Sequence, residues 1–600
     1  MLMSLRKSFR LALIGTVGLV GLCHWAPPAL AAAPPEKTLP NTTFLFVKAN
    51  NAANLREAIK QSQMGQLWAD PAMQPLKDDL AAKIDDASKK VKEAVGVSLL
   101  ELLQLPQGPV SFAILAAKEG AKVPVAALLS ADAGNKADTM KEVMTKATKL
   151  AEDDDTKVTT EDFMGKTLHV IQSTKPEDKD DPPVVWTSQG SIYHVSTDLD
   201  ALKDLLSHAD GRDDSLADSD SFQQVSKKVG DDGQFVWYLD VTQGIKLVVR
   251  AAANAGGKNG GNAQQVEAML QVTGINGLKA MGGTVAFNAG HYDMLNKTFI
   301  LAPGPSQGVL KIFAMPPTSL RPEPWVPATA ATYESFSWDL DSAYKAIEDL
   351  TNMIQPGLLQ ALQQQLAGPN GGELDFQKDL FGPIGDRVTI ITDFKKKPKN
   401  KTGDTTRTLV AVALEDSKAF RNTLNKLFAM AKISPKKRDF QGTTIYDIDP
   451  EDLGAAGAGN VTLTGPICVC VAKDTCFLAT EPTLLELVLR GGPRLADSAE
   501  FQAVAREVPE QTSTLSYAKS EEAVRQIYDM VKGGQLQEAI KQAAANKGNG
   551  DAPNLDNLID KSKLPEFSTI SKYVSQTGGY GVMTEDGFFR VSFSLRKGNP

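Results

Sequence analysis

Residues 216–229 read LADSDSFQQVSKKV, and residues 495–508 read LADSAEFQAVAREV. Leu216, Ala217, Asp218, Ser219, Phe222, Gln223, Val225 and Val229 each recur 279 positions later, as Leu495, Ala496, Asp497, Ser498, Phe501, Gln502, Val504 and Val508. Working outward, other blocks recur in the same order at nearly the same spacing. EDFMGKTLHVI (161–171) matches RDFQGTTIYDI (438–448). Pro106, Gly108 and Val110 match Pro383, Gly385 and Val388, and Gly282-Gly283 match Gly578-Gly579. Self-similarity at one long period marks a repeated structural unit. The chain therefore reads as a tandem duplication of one unit of about 280 residues.

Both halves predict one order of elements. An extended run opens each, Phe44–Val47 and Tyr333–Trp338, and a helix follows from about Asn54 or Ser342. Ile84, Val91, Val95, Leu99 and Leu102 place an apolar stripe on a long helical stretch over 72–104, which Pro106 ends. Its counterpart runs from about Pro356 to Phe381, broken at Pro369–Gly372. Next come strands at 110–116 and 123–129, matched by 387–394 and 408–414, then a helix near 133–151 or 416–432. Four short strands follow in each half, with Met164-Gly165 and Gln441-Gly442 as tight hairpin turns. A helix at 199–208 or 482–490 leads to the LADS block, read as a helix start capped by Asp218 or Ser219. Phe222 and Phe501 are expected to be buried anchors there. A long helical region and a last hairpin close each half.

Short turns between consecutive strands favour an α+β fold with mainly antiparallel sheet and packed helices. The expected segments are a signal peptide at 1–31, a first repeat at 32–302, a Pro-rich connection at 303–330 and a second repeat at 331–600. The connection reads as semi-rigid, Gly256–Gly261 as a flexible loop, and Glu152–Asp155, Lys175–Asp181 and Lys395–Lys401 as solvated hairpin tips.

Arg6, Lys7 and Arg10, the apolar run Leu11–Leu22 and Ala29-Leu30-Ala31 have the order of a secretory signal cleaved before Ala32. Lipidation at Cys23 is disfavoured by the bulky Leu22 before it. Cleavage removes three of 64 basic residues, leaving 61 against 72 acidic ones, a balance of −11. That balance argues against nucleic acid and against docking on anionic lipid. No later stretch has 18 consecutive apolar residues, so no integral span is expected after cleavage.

Cys468, Cys470 and Cys476 are an odd set without a C-x-x-C step. They read as small buried residues, with a disulfide to Cys476 as the alternative. Gly165-Lys166-Thr167 mimics a phosphate loop, but position 160 is Thr and a strand follows. Gly304–Gly308 fits G-x-S-x-G around Ser306, yet no histidine lies beyond His291. His169 and His194 match Tyr446 and Phe477, which suits packing, and His208 and His291 stand in no metal spacing. The acidic run Asp210–Asp220 lacks an EF-hand pattern. No catalytic, cofactor-binding or metal residue is assigned, and no cofactor is expected.

LDFQKDLFGPIGDRVTII (374–391) and RDFQGTTIY, followed by a strand pair and a LADS-type helix, resemble a family of exported bacterial proteins of planctomycete type, catalogued only as a domain of unknown function. The resemblance is clearest over about 330–520. It implies an α+β fold and a periplasmic, envelope-associated or extracellular place, and it brings no catalytic residues. The expected function is a non-enzymatic binding or scaffold protein of the cell envelope, with an unknown protein as partner. A carrier of an apolar ligand such as a lipid is the alternative, and an enzyme of unrecognised type a further one.

Overall fold

Two-residue turns set the strand order. Met164 and Gly165 both have positive φ (49° and 70°), as do Gln441 and Gly442 (53° and 78°). This twist lets a two-residue loop join right-handed antiparallel strands. The computed structural model describes residues 33–598 apart from 119–120, 122, 153–154, 176–180, 256–260, 307, 368–374, 395–405, 450, 452–465 and 547–558. The expected signal with Cys23, the Pro369–Gly372 break, the Lys395–Lys401 tip and nearly all of the Gly256–Gly261 loop lie outside the described residues, as do parts of the Glu152–Asp155 and Lys175–Asp181 tips.

The chain forms two compact units. The first holds residues up to Glu267, with 278–301 and 527–573; the second holds 268–277, 302–526 and 574–600. These units cut across the sequence halves 32–302 and 331–600.

The first unit contains β1 Thr43–Ala49, β2 Val110–Ala116, β3 Val125–Asp132, β4 Thr156–Phe163, β5 Lys166–Ser173, β6 Val184–Gln189, β7 Ile192–Ser196, β8 Phe235–Asp240, β9 Ala280–Ala289 and β10 Tyr292–Leu301. These strands pair antiparallel, in the order β4-β5-β6-β7-β3-β2-β1-β8-β9-β10. The second unit contains β11 Thr332–Ser337, β12 Ile384–Phe394, β13 Thr406–Leu414, β14 Lys436–Phe440, β15 Thr443–Ile448, β16 Ile467–Ala472, β17 Thr475–Ala479, β18 Thr514–Ala518, β19 Thr577–Thr584 and β20 Gly587–Leu595. Its order is β14-β15-β16-β17-β13-β12-β11-β18-β19-β20, the same path through ten strands. The fold is α+β with antiparallel sheet and packed helices.

The helices used below are α1 Gln74–Val95, α2 Ala137–Ala151, α3 Leu199–Ser207, α4 Asp220–Val229, α5 Leu358–Ala367, α6 Ser417–Met430, α7 Pro482–Arg490 and α8 Ala499–Ala505. Among the described residues, no helix is long and apolar enough to cross a membrane. On the first sheet, Met140, Val143 and Met144 of α2 pack with Leu129, Trp186 and Val195. On the second, Phe420, Leu424 and Phe428 of α6 pack with Leu414, Val469 and Val471. Each fully buried side chain of this kind contributes about 1.5–3 kcal/mol.

Three expectations need correction. The helical stretch over 72–104 is not continuous. Gly96 takes φ 89° and caps α1 through its N–H to the Lys92 carbonyl at 2.8 Å, after which Ser98 and Glu101 form a capping box on a short helix, Leu99–Leu103. The counterpart from Pro356 to Phe381, expected with a break at Pro369–Gly372, holds α5 and a single π-helical turn, Phe376–Phe381, among the described residues.

Second, the later part of the Pro-rich connection is no spacer. Leu320, Val326, Ala330 and Ala331 are buried. The Leu495 N–H donates to the Val326 carbonyl at 2.9 Å, as the Leu216 N–H donates to the Leu39 carbonyl at 2.8 Å. The segments PEKTLP (35–40) and PEPWVP (322–327) thus hold matching places against the LADS blocks. Residues 35–38 form one helical turn and residues 324–325 a turn, and the apolar residues between the prolines, Leu39, Trp325 and Val326, are buried.

Third, the LADS residues form a 3-10 turn ahead of the helix proper, Leu216–Asp218 before α4 and Leu495–Asp497 before α8. Ser498 caps α8 through the Phe501 N–H at 3.2 Å, whereas Ser219 makes no such bond. Phe501 is buried beside Tyr333 and Tyr517, with ring centroids 6.4 and 5.5 Å away. Phe222 sits beside Phe46 and Tyr238 at 6.2 and 5.1 Å but is only half-buried.

Candidate functional site

The residues that mimic catalytic motifs lie apart and do ordinary structural work. Ser306 is exposed, ahead of the 3-10 helix Gly308–Phe313. Gly165-Lys166-Thr167 is the turn and first residues of β5, and the Thr167 hydroxyl donates to Asp162 at 3.2 Å. His169 stacks on Trp186 with centroids 4.1 Å apart; at the matching place, Tyr446 packs on Phe428 at 5.2 Å. His208 Nδ1 lies 2.8 Å from the Asp204 carbonyl, and His291 tilts against Tyr292. In the acidic run, Arg212 binds Asp204 and Asp214, both at 2.6 Å. Among the described residues, no group of three His, Cys, Asp or Glu could hold a metal ion.

His194 is buried, with Nδ1 2.8 Å from the Ser130 hydroxyl. Burial, with Lys166 nearby, drives its pKa down to about 4. The two residues face each other across β3 and β7, and in the second sheet Ala411 and Phe477 face each other across β13 and β17. A polar pair on one side and an apolar pair on the other fill equivalent core positions.

Cys468 and Cys470 are buried on one face of β16. Cys476 is opposite Val471, and so on the other face from Cys470, which is opposite Phe477. The disulfide alternative therefore does not hold, and all three thiols are free. Burial pushes each up to about 12. Such thiols are inert at neutral pH.

A partly buried acid–base cluster ties the second lead-in segment to its sheet. Glu323 pairs with Arg387 at 3.0 Å and accepts from the Thr389 hydroxyl at 2.9 Å, while Arg387 donates to the Tyr333 hydroxyl oxygen at 2.6 Å. Burial raises the Glu323 pKa, with Arg387 opposing. In the first unit Glu36 pairs with Lys48 at 2.8 Å. The glutamate of the P-E-x-x-[LV]-P segment is thus clasped in both units. This hexapeptide, spaced 287 residues apart, was a readable signal, hidden because the spacing is 277–279 in the blocks around LADS and 296 at the Gly-Gly pair.

A cleft of about 590 Å³ lies in the second unit. It opens between two hairpin tips, the Gln441-Gly442 turn of β14–β15 and the Lys473-Asp474 turn of β16–β17. Both residues of the second turn have φ 51°. Arg421 of α6 and Leu489 of α7 complete the wall with Thr443, Thr444, Tyr446, Val471 and Ala472. Arg421 donates to the Val471 carbonyl at 3.1 Å, and Lys473 to the Val488 carbonyl at 3.3 Å. Lys437 lies 5.5 Å over the Tyr446 ring. The lining holds two cations, three hydroxyls and an amide, and no carboxylate. Its size lies in the range of small-molecule sites. At the matching tips of the first unit stand Met164 and Gly190, where the second has Gln441 and Lys473.

The reading of RDFQGTTIY as a hairpin holds, but its part in a cleft was not legible, because Arg421 and Lys473 reach the cleft from other elements. No curated protein and no solved structure matches the chain. Residues 325–553, which include the cleft, carry a domain described as Protein of unknown function (DUF3352).

Proposed function

We propose that this chain is an exported, non-enzymatic binding or scaffold protein of the cell envelope, built by duplication of one α+β unit, and that the second unit's cleft is its binding site. The reading is supported by one observation above others. The two sheets follow the same strand path, yet the corresponding hairpin tips differ, and the second set lines a polar cleft with two cations. The shared path supplies a scaffold, and this divergence lies at exposed tips, where binding residues commonly sit. Native mass spectrometry of protein purified from its own host tests this. A bound polar ligand or a stable partner protein is expected, and a preparation that carries neither contradicts it. N-terminal sequencing of the same material should begin near Ala32; a retained Met1 contradicts export.

The second reading, a carrier of an apolar ligand, draws on a different observation. Val248, Met353 and Ile527 are exposed on helices that are apolar along one face. Such faces can cover a lipid chain. A lipid found in the same spectra would favour it.

A further inference from the structure

Resting on the binding reading above, we infer that the cleft recognises an oxyanion, a carboxylate or a phosphate, carried on a small hydroxylated molecule. Several other cations of this unit are neutralised by carboxylates. Arg387 is neutralised by Glu323 at 3.0 Å, Arg438 by Asp447 and Glu486 at 2.7 Å each, and Lys426 by Asp379 at 2.8 Å. Arg407 pairs with Asp393. Arg421 and Lys473 differ. Among the described residues neither pairs with a carboxylate, and each is steadied by one backbone carbonyl instead.

A guanidinium has five N–H donors and an ammonium three. One of each is committed, so most of their donor capacity remains for solvent or a ligand. Two cations without an ion-pair partner on a concave wall favour anions there, although Asp439 and Asp474 stand at the two tips. The overall composition does not produce this, because the chain carries a net charge of −8. Gln441, Thr443 and Thr444 also line the cleft, and amide and hydroxyl groups suit the hydroxyl groups of a ligand. A guanidinium matches the flat fork of a carboxylate or two oxygens of a phosphate. A volume near 590 Å³ fits a molecule of sugar size with room for water.

The test is isothermal titration calorimetry on the full mature chain with three probes: glucose 6-phosphate, glucuronate and glucose. One of the two charged probes should bind at a ratio of one per chain, and neutral glucose should bind far more weakly. Preference for glucose 6-phosphate assigns the anion as a phosphate, and preference for glucuronate as a carboxylate. The double substitution Arg421→Gln/Lys473→Gln should lower the affinity at least tenfold with the melting temperature unchanged. Arg421→Lys/Lys473→Arg, which keeps both charges, should retain part of the binding. Lys426→Gln, which removes a cation already paired outside the cleft, should leave it intact. Failure of both charged probes, or binding undiminished in the Gln pair, overturns the inference. If protein from its own host retains a ligand or partner that the Gln pair retains equally, this inference falls while the binding reading stands. If nothing is retained and no probe binds, both fall.

Discussion

His194 shows how a single residue separates packing from chemistry. It donates to or accepts from Ser130 in a site too buried for its charged form. A histidine whose folded pKa is lowered stays neutral in the native state while the unfolded chain takes up a proton. Its stabilising contribution is therefore complete above about 6.5, the unfolded value, and is lost as pH falls from there toward about 4. Between pH 7 and pH 5 this one group should cost about 2 kcal/mol. Denaturant unfolding of the parent and of Ser130→Ala/His194→Phe measures it. The variant carries the pair found at the matching place in the second sheet, and it should lose that part of the pH dependence. An identical slope in both proteins would contradict the account. The aromatic anchors give a second comparison. Phe501→Ala should cost about 3–5 kcal/mol, the usual loss for a buried Phe. Phe222→Ala should cost clearly less, because its ring is half-exposed. Equal losses in urea unfolding would mean that exposure does not govern the difference.

At the scale of elements, glycines and one clasp carry the testable weight. A Cβ added at Gly282 would lie 2.7 Å from Val225 Cγ1, and one at Gly578 would collide with Val504 Cγ1. These are the two places where a LADS helix presses on the strand behind it. Each Gly→Ala should destabilise by about 1–3 kcal/mol, the scale of overpacking, measured by thermal unfolding. In the clasp, Arg387→Met leaves the partly buried Glu323 beside an apolar side chain, and a loss of about 1–3 kcal/mol is expected. The double variant Arg387→Met/Glu323→Gln should recover much of it. A single variant as stable as the parent would show that the clasp does not hold the segment.

The strands were legible to within a few residues, because alternation and X-Gly turns are local signals. The break at Gly96 was missed because an apolar stripe continues across it, while one left-handed residue is enough to end a helix. Residues 318–331 were missed because proline-rich composition resembles a linker, and burial depends on what lies opposite. The cleft was illegible for a related reason. Arg421 and Lys473 are common residue types, and being unpaired is a property of the folded surroundings.

For the whole molecule, the compact units are not the sequence halves. The first unit takes in residues 527–573, where the Tyr573 hydroxyl donates to Asp70 at 2.9 Å and the Asp560 N–H to Asp79 at 3.3 Å. Residues 32–302 expressed alone should therefore unfold at lower urea than the same unit in the full chain. Equal midpoints would mean that the later segment adds nothing. The central claim is that one ten-strand path was laid down twice and that the second carries a polar binding corner. A crystal structure of the protein purified from its own host tests it most directly. It should show the order β4-β5-β6-β7-β3-β2-β1-β8-β9-β10 repeated as β14-β15-β16-β17-β13-β12-β11-β18-β19-β20, with a small ligand held by Arg421 and Lys473. Two different strand orders, or a ligand bound elsewhere with this cleft open to solvent, would contradict it.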